Sequence, residues 1–394
     1  NGVGVPNNID ILDAGNGLIA EFVIENAKIV PEYFGAVAGD LTATNAALQK
    51  CFELAYNSPL EISLIRQYDF SEALTCYYVQ THNSGFRLSG VTSACGLNWV
   101  GTATGQYTID VHGTEAKLQD FVIIEGSATT NSNTGVRVCG FGVNVSNVEP
   151  IGRWKRGVLG IACLFGGVFE NIRARLDVGN PISSKEGVPL QLVSCVNTEV
   201  QGGFSRDAGY PIVVGLLAGE DTNLLKPPSY TGTITFGCEG VSVHNYKSTT
   251  TKNGPVFRGL ELVSTNHVYD LVYDNFMTLD GLFIRMLNGW FGSNSATPAS
   301  ATIFDTIGTG PAYAEICGNT ISMGASGETT ISDTFDYPFS EFSHNTIELA
   351  SLTYSGTNRA RCIGNEGTIG TDEITLSAVN ARNLYLSSQH KSRL

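Results

Sequence analysis

Positive charge is scarce in this chain. Lys and Arg number 23 against 37 Asp and Glu, for a net charge of −14. Nucleic acid demands a basic footprint, so that class is excluded, and an anionic membrane surface is disfavoured on the same ground. An acidic polysaccharide is not excluded, because a local basic groove can sit on an acidic protein. Long apolar runs are also missing: no stretch of 18 apolar residues occurs, and no membrane insertion is expected. None of the nine cysteines forms CxxC or stands at zinc-finger spacing from histidines. An odd, scattered set reads as buried free thiols in a protein folded in a reducing compartment. EF-hand, HExxH, P-loop and Rossmann patterns are absent, so neither metal nor cofactor is expected. The opening NGVGVPNNID has no basic start and no apolar stretch, and so is not a signal peptide. The numbering is read as beginning inside a longer gene product.

Charged residues make up only 15%, against an average near 25%, while Gly reaches 45 residues. That profile belongs to many short strands joined by tight turns. Nine segments share one form, a Gly followed by apolar residues. They start at Gly90, Gly113, Gly135, Gly157, Gly187, Gly209, Gly232, Gly254 and Gly281. By subtraction the intervals are 23, 22, 22, 30, 22, 23, 22 and 27 residues. Such a period fits one coil of a parallel β-helix, which buries its apolar face only by stacking on its neighbours. Asn319, Asn345, Asn365 and Asn383 continue the style with altered spacing. The expected organisation is an N-terminal segment with a capping helix at 1–58, a main β-helix at 59–300 and a β-helical continuation at 301–394.

One segment differs. TATNAALQKCFELAYN, residues 42–57, carries an apolar stripe at helical spacing, with Thr42 or Thr44 able to cap it. An amphipathic helix there would close the open end of the stack. With its lead-in, VPEYFGAVAGDLTATNAALQKCFELA resembles the start of the pectate-lyase-superfamily β-helix domain of phage tailspikes. The matching residues are Phe34, Gly35, Ala36, Gly39, Asp40, Thr42 and Thr44. LTATN stands where that family usually has further acids. The NTD, DD and GHG signatures of plant and fungal pectinases do not appear. The resemblance implies an all-β, right-handed, single-stranded parallel β-helix in a homotrimer. It implies a virion tail spike that recognises bacterial surface polysaccharide, joined to the phage tail or baseplate through a preceding N-terminal region.

Stacking in register would bring residues at equal offset from each leading Gly above one another, about 4.8 Å apart. An offset of twelve selects Thr102, Glu125, Asn147, Phe169, Glu199, Asp221, His244, Asn266 and Ser293. The column is nearly all polar, and Glu199, Asp221 and His244 are consecutive in it. Glu220 and Glu170 lie one residue off. Two carboxylates flanking a glycosidic bond are what hydrolysis requires, one as acid and one as base or nucleophile. Glu220, Asp221 and Glu199 are therefore the candidate catalytic set. An outward polar column also arises where it only solvates the stack.

His244, Arg206, Asp207, Trp154 and Tyr273 are candidates for substrate binding. Arg206 could clamp a sugar carboxylate, or form with Asp207 a turn ion pair worth little. RWKR, residues 153–156, sets three cations around Trp154 and is either a sugar-stacking subsite or a solvated turn. Tyr269, Tyr273 and Phe276 alternate as on a strand and could line a carbohydrate face, with Asp270 and Asp274 as second-rank acids. The expected activity is endo-glycosidic depolymerisation of capsule or O-antigen. The alternatives are a lyase using His244, Lys226 or Tyr230 as base, and a non-catalytic adhesin.

Overall fold

In the computed structural model, the described residues are 28–56, 60–77, 85–126, 131–274 and 277–293. Outside these lie backbone strands at 11–15, 18–21 and between 301 and 386, with side chains described at 313–322 and 343–346. Phe276, Asn365 and Asn383 lie outside the described side chains.

Each coil contributes three short strands, and each strand pairs in parallel with its counterpart one coil away. In the first ladder, Leu88, Leu118, Val145, Phe169, Val200 and Val243 lie in register and are all fully buried. Alternation sends their neighbours outward, as the two-residue period of a strand requires. The second ladder begins at Gln67–Phe70 and runs through Val122–Glu125 and Arg173–Leu176 to Val268–Val272. The third runs from Leu74–Tyr77 through Thr134–Phe141, Arg156–Leu164 and Val188–Val193 to Met277–Leu287. Pairing continues past residue 300, where Met277–Leu287 meets Tyr313–Cys317.

The turn from the first ladder to the second is one residue in the left-handed region, repeated coil after coil: Asp120, Asn147, Asn171, Asn245, Asn266 and Asn288. Short polar side chains tolerate that conformation best after glycine. Their amides also bond between coils. Asn147 Nδ2 donates to Asp120 Oδ1 at 2.8 Å, and Asn171 Nδ2 to Asn147 Oδ1 at 2.6 Å.

Helix α1, Leu41–Tyr56, lies over the strands of the first coil and buries Ala47, Leu48, Cys51, Phe52, Leu54 and Ala55. Its cap is Asp40 rather than a threonine: Asp40 Oδ1 accepts from Ala43 N at 2.9 Å. Thr44 instead donates its hydroxyl to the Val37 carbonyl. Asn45 ties the helix to the stack by bonding Ser71 through both amide atoms.

The coil length is less uniform than the glycine spacing suggests. Gly187 and Gly209 do stack, since Gly209 N donates to Gly187 O. Gly232, however, heads no strand. It lies in an excursion, residues 215–237, between strands Val213–Val214 and Cys238–Glu239. This strap folds back over the outer face of the third ladder. Leu216 and Leu225 are buried there with Cys139, Leu159, Ile161 and Val193. The ladder is thus covered on both faces, which explains the unbroken apolar run GVLGIACLF.

Candidate functional site

The strap decides what the adjacent acids of GEDT do. Glu220 turns inward, and its side chain is 11% exposed against Arg156 at 5%. Arg156 Nη2 bonds Glu220 Oε1, while Oε2 accepts from Gln191 Nε2 at 2.7 Å and Leu217 N at 2.9 Å. Both carboxylate oxygens are occupied in anchoring the strap. Asp221 caps α2, Thr222–Leu225, by accepting from Asn223 N at 2.8 Å. Further ties run from Arg137 to Leu225 O, Tyr107 to Leu224 O and Arg258 to Leu216 O.

The expected column of Glu199, Asp221 and His244 is corrected accordingly. Asp221 belongs to the strap and to no ladder. Glu199 stands between Val168 and Ser242, and His244 stands in the next column, between Gln201 and Thr265. An insertion within a coil displaces every offset counted through it. Glu199 and His244 do share the outer face of the first ladder with Glu170. There Gln201 Nε2 donates to Glu199 Oε1 at 2.6 Å, and His244 Nδ1 lies 2.7 Å from Thr265 Oγ1.

The RWKR subsite is also corrected. Trp154 is fully buried, with Nε1 donating to Ile123 O at 3.3 Å, and presents no face to a sugar. Arg156 is consumed by Glu220 and Gln191. Asp207 bonds both Lys185 and Arg206, so the Arg206 guanidinium, though 59% exposed, is paired. Tyr269 points into the core, whereas Tyr273 is half-buried.

Where the strap rejoins the stack it walls a groove of about 810 Å³. Phe236 of the strap lines it at 60% exposure, above a floor of Glu239, Arg258, Leu260, Asp280 and Leu282. Arg258 lies 5.5 Å from the Phe236 ring centroid and bonds Asp280 Oδ2 through Nε at 3.0 Å. Glu239 is exposed, and no described residue bonds its carboxylate. Glu239, Leu260 and Leu282 form one column, and Arg258 and Asp280 the next.

Stacked glycines make this floor possible. Cys238, Gly259 and Gly281 are in register, and both glycines have φ 146°. A Cβ on Gly281 would stand 1.8 Å from Gly259 O. In the sequence Gly281 stands out as a coil marker, and nothing in the glycine spacing singles out Glu239 or Asp280. The aligned FRGLEL and LDGLFI segments were the available signal, because they repeat Gly-Leu at the same register.

Exposed aromatic and apolar surface beside a carboxylate suits a sugar, which offers flat C–H faces and hydroxyls together. Among the described residues no group of His, Cys, Asp and Glu could hold a metal ion, and no helix is long and apolar enough to cross a membrane.

No protein-family model matches the sequence, and no curated protein matches it by sequence. Several solved structures share its fold. The Streptococcus pneumoniae surface protein and adhesin PfbA superposes with TM-score 0.61 at 9% identity, over 89% of this chain and 99% of that one. The A-module of Azotobacter vinelandii mannuronan C-5 epimerase AlgE6 gives 0.54 at 12% identity, over 86% and 99%. The tailspike of Escherichia coli bacteriophage HK620, solved with a pentasaccharide, gives 0.50 at 11% identity, over 89% and 65%. The chain is a right-handed parallel β-helix. At these identities the likeness concerns the fold alone.

Proposed function

We propose that this β-helix binds a bacterial surface polysaccharide, capsule or O-antigen, in the groove beneath Phe236 and cleaves it internally. The observation that carries this reading is the groove itself, which an exposed aromatic ring and two carboxylates line together. A long stack also suits a repetitive polymer, since successive coils offer successive weak contacts. Among proteins of this fold, one is a tailspike bound to a pentasaccharide and another an epimerase of mannuronan.

The reacting groups in this reading are Asp280 and Glu239. They lie two coils apart, roughly 10 Å along the axis by strand spacing. Glu239 is exposed and its side chain can rotate to shorten that distance. Inverting hydrolases keep their carboxyls about 6.5–9.5 Å apart, which leaves room for a water. A second reading retains Glu199. Glu170 and Glu199 project from adjacent strands of one outer face, and Glu170 is in register with Gln201, two residues beyond Glu199. That spacing separates their backbones by about 8 Å. The groove is preferred because it joins an exposed aromatic ring to its carboxylates.

The wider reading is a tail-spike depolymerase acting outside the cell. It would be a homotrimer attached to a phage tail through a preceding region, with residues 59–300 as working stack and 301–394 as continuation. A lyase is less favoured, because the one cation lining the groove is already paired with Asp280. Incubation with purified capsules and O-antigens, followed by sizing and reducing-end assay, tests the proposal. Shortened chains with new reducing ends support hydrolysis. An unsaturated product absorbing in the ultraviolet would instead establish the lyase, and binding without shortening the adhesin.

A further inference from the structure

The charge lining the groove constrains which glycans can enter it. Its charged side chains are Glu239, Arg258 and Asp280, a net of one negative charge. The cation's charge is already paired within the protein. Arg258 Nε and Nη2 both reach Asp280 Oδ2, at 3.0 and 2.9 Å, and Nη1 donates to Leu216 O at 2.8 Å. Its remaining face is turned toward Phe236. Lys226 of the strap lies 5.8 Å from the Tyr230 ring centroid and does not line the groove. The uncommitted charge is therefore the Glu239 carboxylate, beside Leu260 and Leu282 of its own column.

A uronate or sialate carboxylate entering here would face the Glu239 carboxylate, while the one cation of the lining is already paired with Asp280. Like charges juxtaposed across a contact oppose binding. The chain's net charge of −14 adds a repulsive long-range field at low ionic strength.

We infer that the groove takes a non-acidic glycan, one whose contacting sugars are neutral or carry an amino group, with Phe236 stacking on a sugar face and Glu239 accepting from hydroxyl or ammonium donors. The inference rests on the reading of the groove as a polysaccharide site. It narrows that reading, which left acidic polymers open.

The test is a binding panel of purified capsular and O-antigen polysaccharides, sorted by whether their repeats are neutral, amino-bearing or acidic. Wild type, Phe236→Ala and Glu239→Lys are compared at low and high salt. Wild type should bind a neutral or amino-bearing polymer, and Phe236→Ala should weaken that binding by about tenfold, as loss of one aromatic anchor does. Glu239→Lys should raise retention of acidic polymers by about tenfold, an effect that fades at high salt. Tight, Phe236-dependent binding of acidic polymers by wild type would overturn the inference and leave the polysaccharide reading intact. So would a Glu239→Lys variant with unchanged preference. Failure of every polymer class to bind in a Phe236-dependent way would overturn both.

Discussion

Arg156 and Glu220 stand 64 residues apart in the chain and side by side in the fold, nearly sealed from water. The pair joins the third ladder to the strap that covers it, with Gln191 bonded to both partners. Removing one member of a buried pair leaves the other charge uncompensated, at a cost of about 3–5 kcal/mol. Glu220→Gln and Arg156→Ala should therefore each lower the unfolding temperature and expose residues 215–237 to limited proteolysis. The double variant should cost far less than the sum, because the two share one interaction. Full stability of Glu220→Gln with complete loss of cleavage would instead return Glu220 to a catalytic role.

Asp280 and Phe236 separate chemistry from binding in the groove. Asp280→Asn should reduce cleavage by about 10²–10⁴-fold, the scale of losing an acid–base group, while polymer retention changes only a few-fold. Phe236→Ala should act on retention first. Product sizing and affinity electrophoresis on the two variants distinguish these patterns. Equal cleavage by wild type and Asp280→Asn would move the chemistry elsewhere, with Glu170 and Glu199 next.

His267 makes stability depend on pH. Its ring is buried against Tyr269 and Phe291, at centroid distances of 5.0 and 4.7 Å, and Nε2 has no partner among the described residues. Burial disfavours the charged form and pushes the imidazole from 6.5 down to about 3. The unfolded chain takes up the proton near pH 6.5, whereas the folded chain does not until about pH 3. Stability is thus whole above pH 6.5 and falls by about 1.4 kcal/mol per unit between those values. Thermal unfolding from pH 7 to 4 should show that slope reduced by one proton in His267→Phe. Parallel curves for wild type and variant would disprove the burial argument.

Gly281→Ala tests the groove floor. A methyl 1.8 Å from the Gly259 carbonyl, at φ 146°, forces the stacked backbones apart. The cost should be roughly 2–5 kcal/mol from combined overpacking and backbone strain. Scanning calorimetry would register it, and Gly219→Ala, at φ 81° with open space around it, should cost less.

Much of this was legible along the chain. The capping helix could be read at 42–57 because its stripe depends only on local periodicity, and it forms at Leu41–Tyr56. The coils could be read because each must bury one apolar side chain at a fixed place, and Leu118, Val145 and Phe169 do so. The cap at Asp40 was missed because Asp40, Thr42 and Thr44 can each cap a helix, and where the first turn starts decides among them. Trp154 was misplaced because flanking cations suggest exposure, yet its neighbour Arg156 is itself buried in an ion pair.

The sequence by itself determined the repeating unit, because a coil's strands, turns and buried positions are set by residues within it. Only the tertiary structure decided which acids meet. Vertical neighbours depend on the length of every insertion between them, and a strap of twenty-odd residues removes Asp221 from the ladder while drawing Glu220 onto Arg156. It also decided where the cavity lies, since the groove exists only between that strap and strands reached after it has returned to the stack.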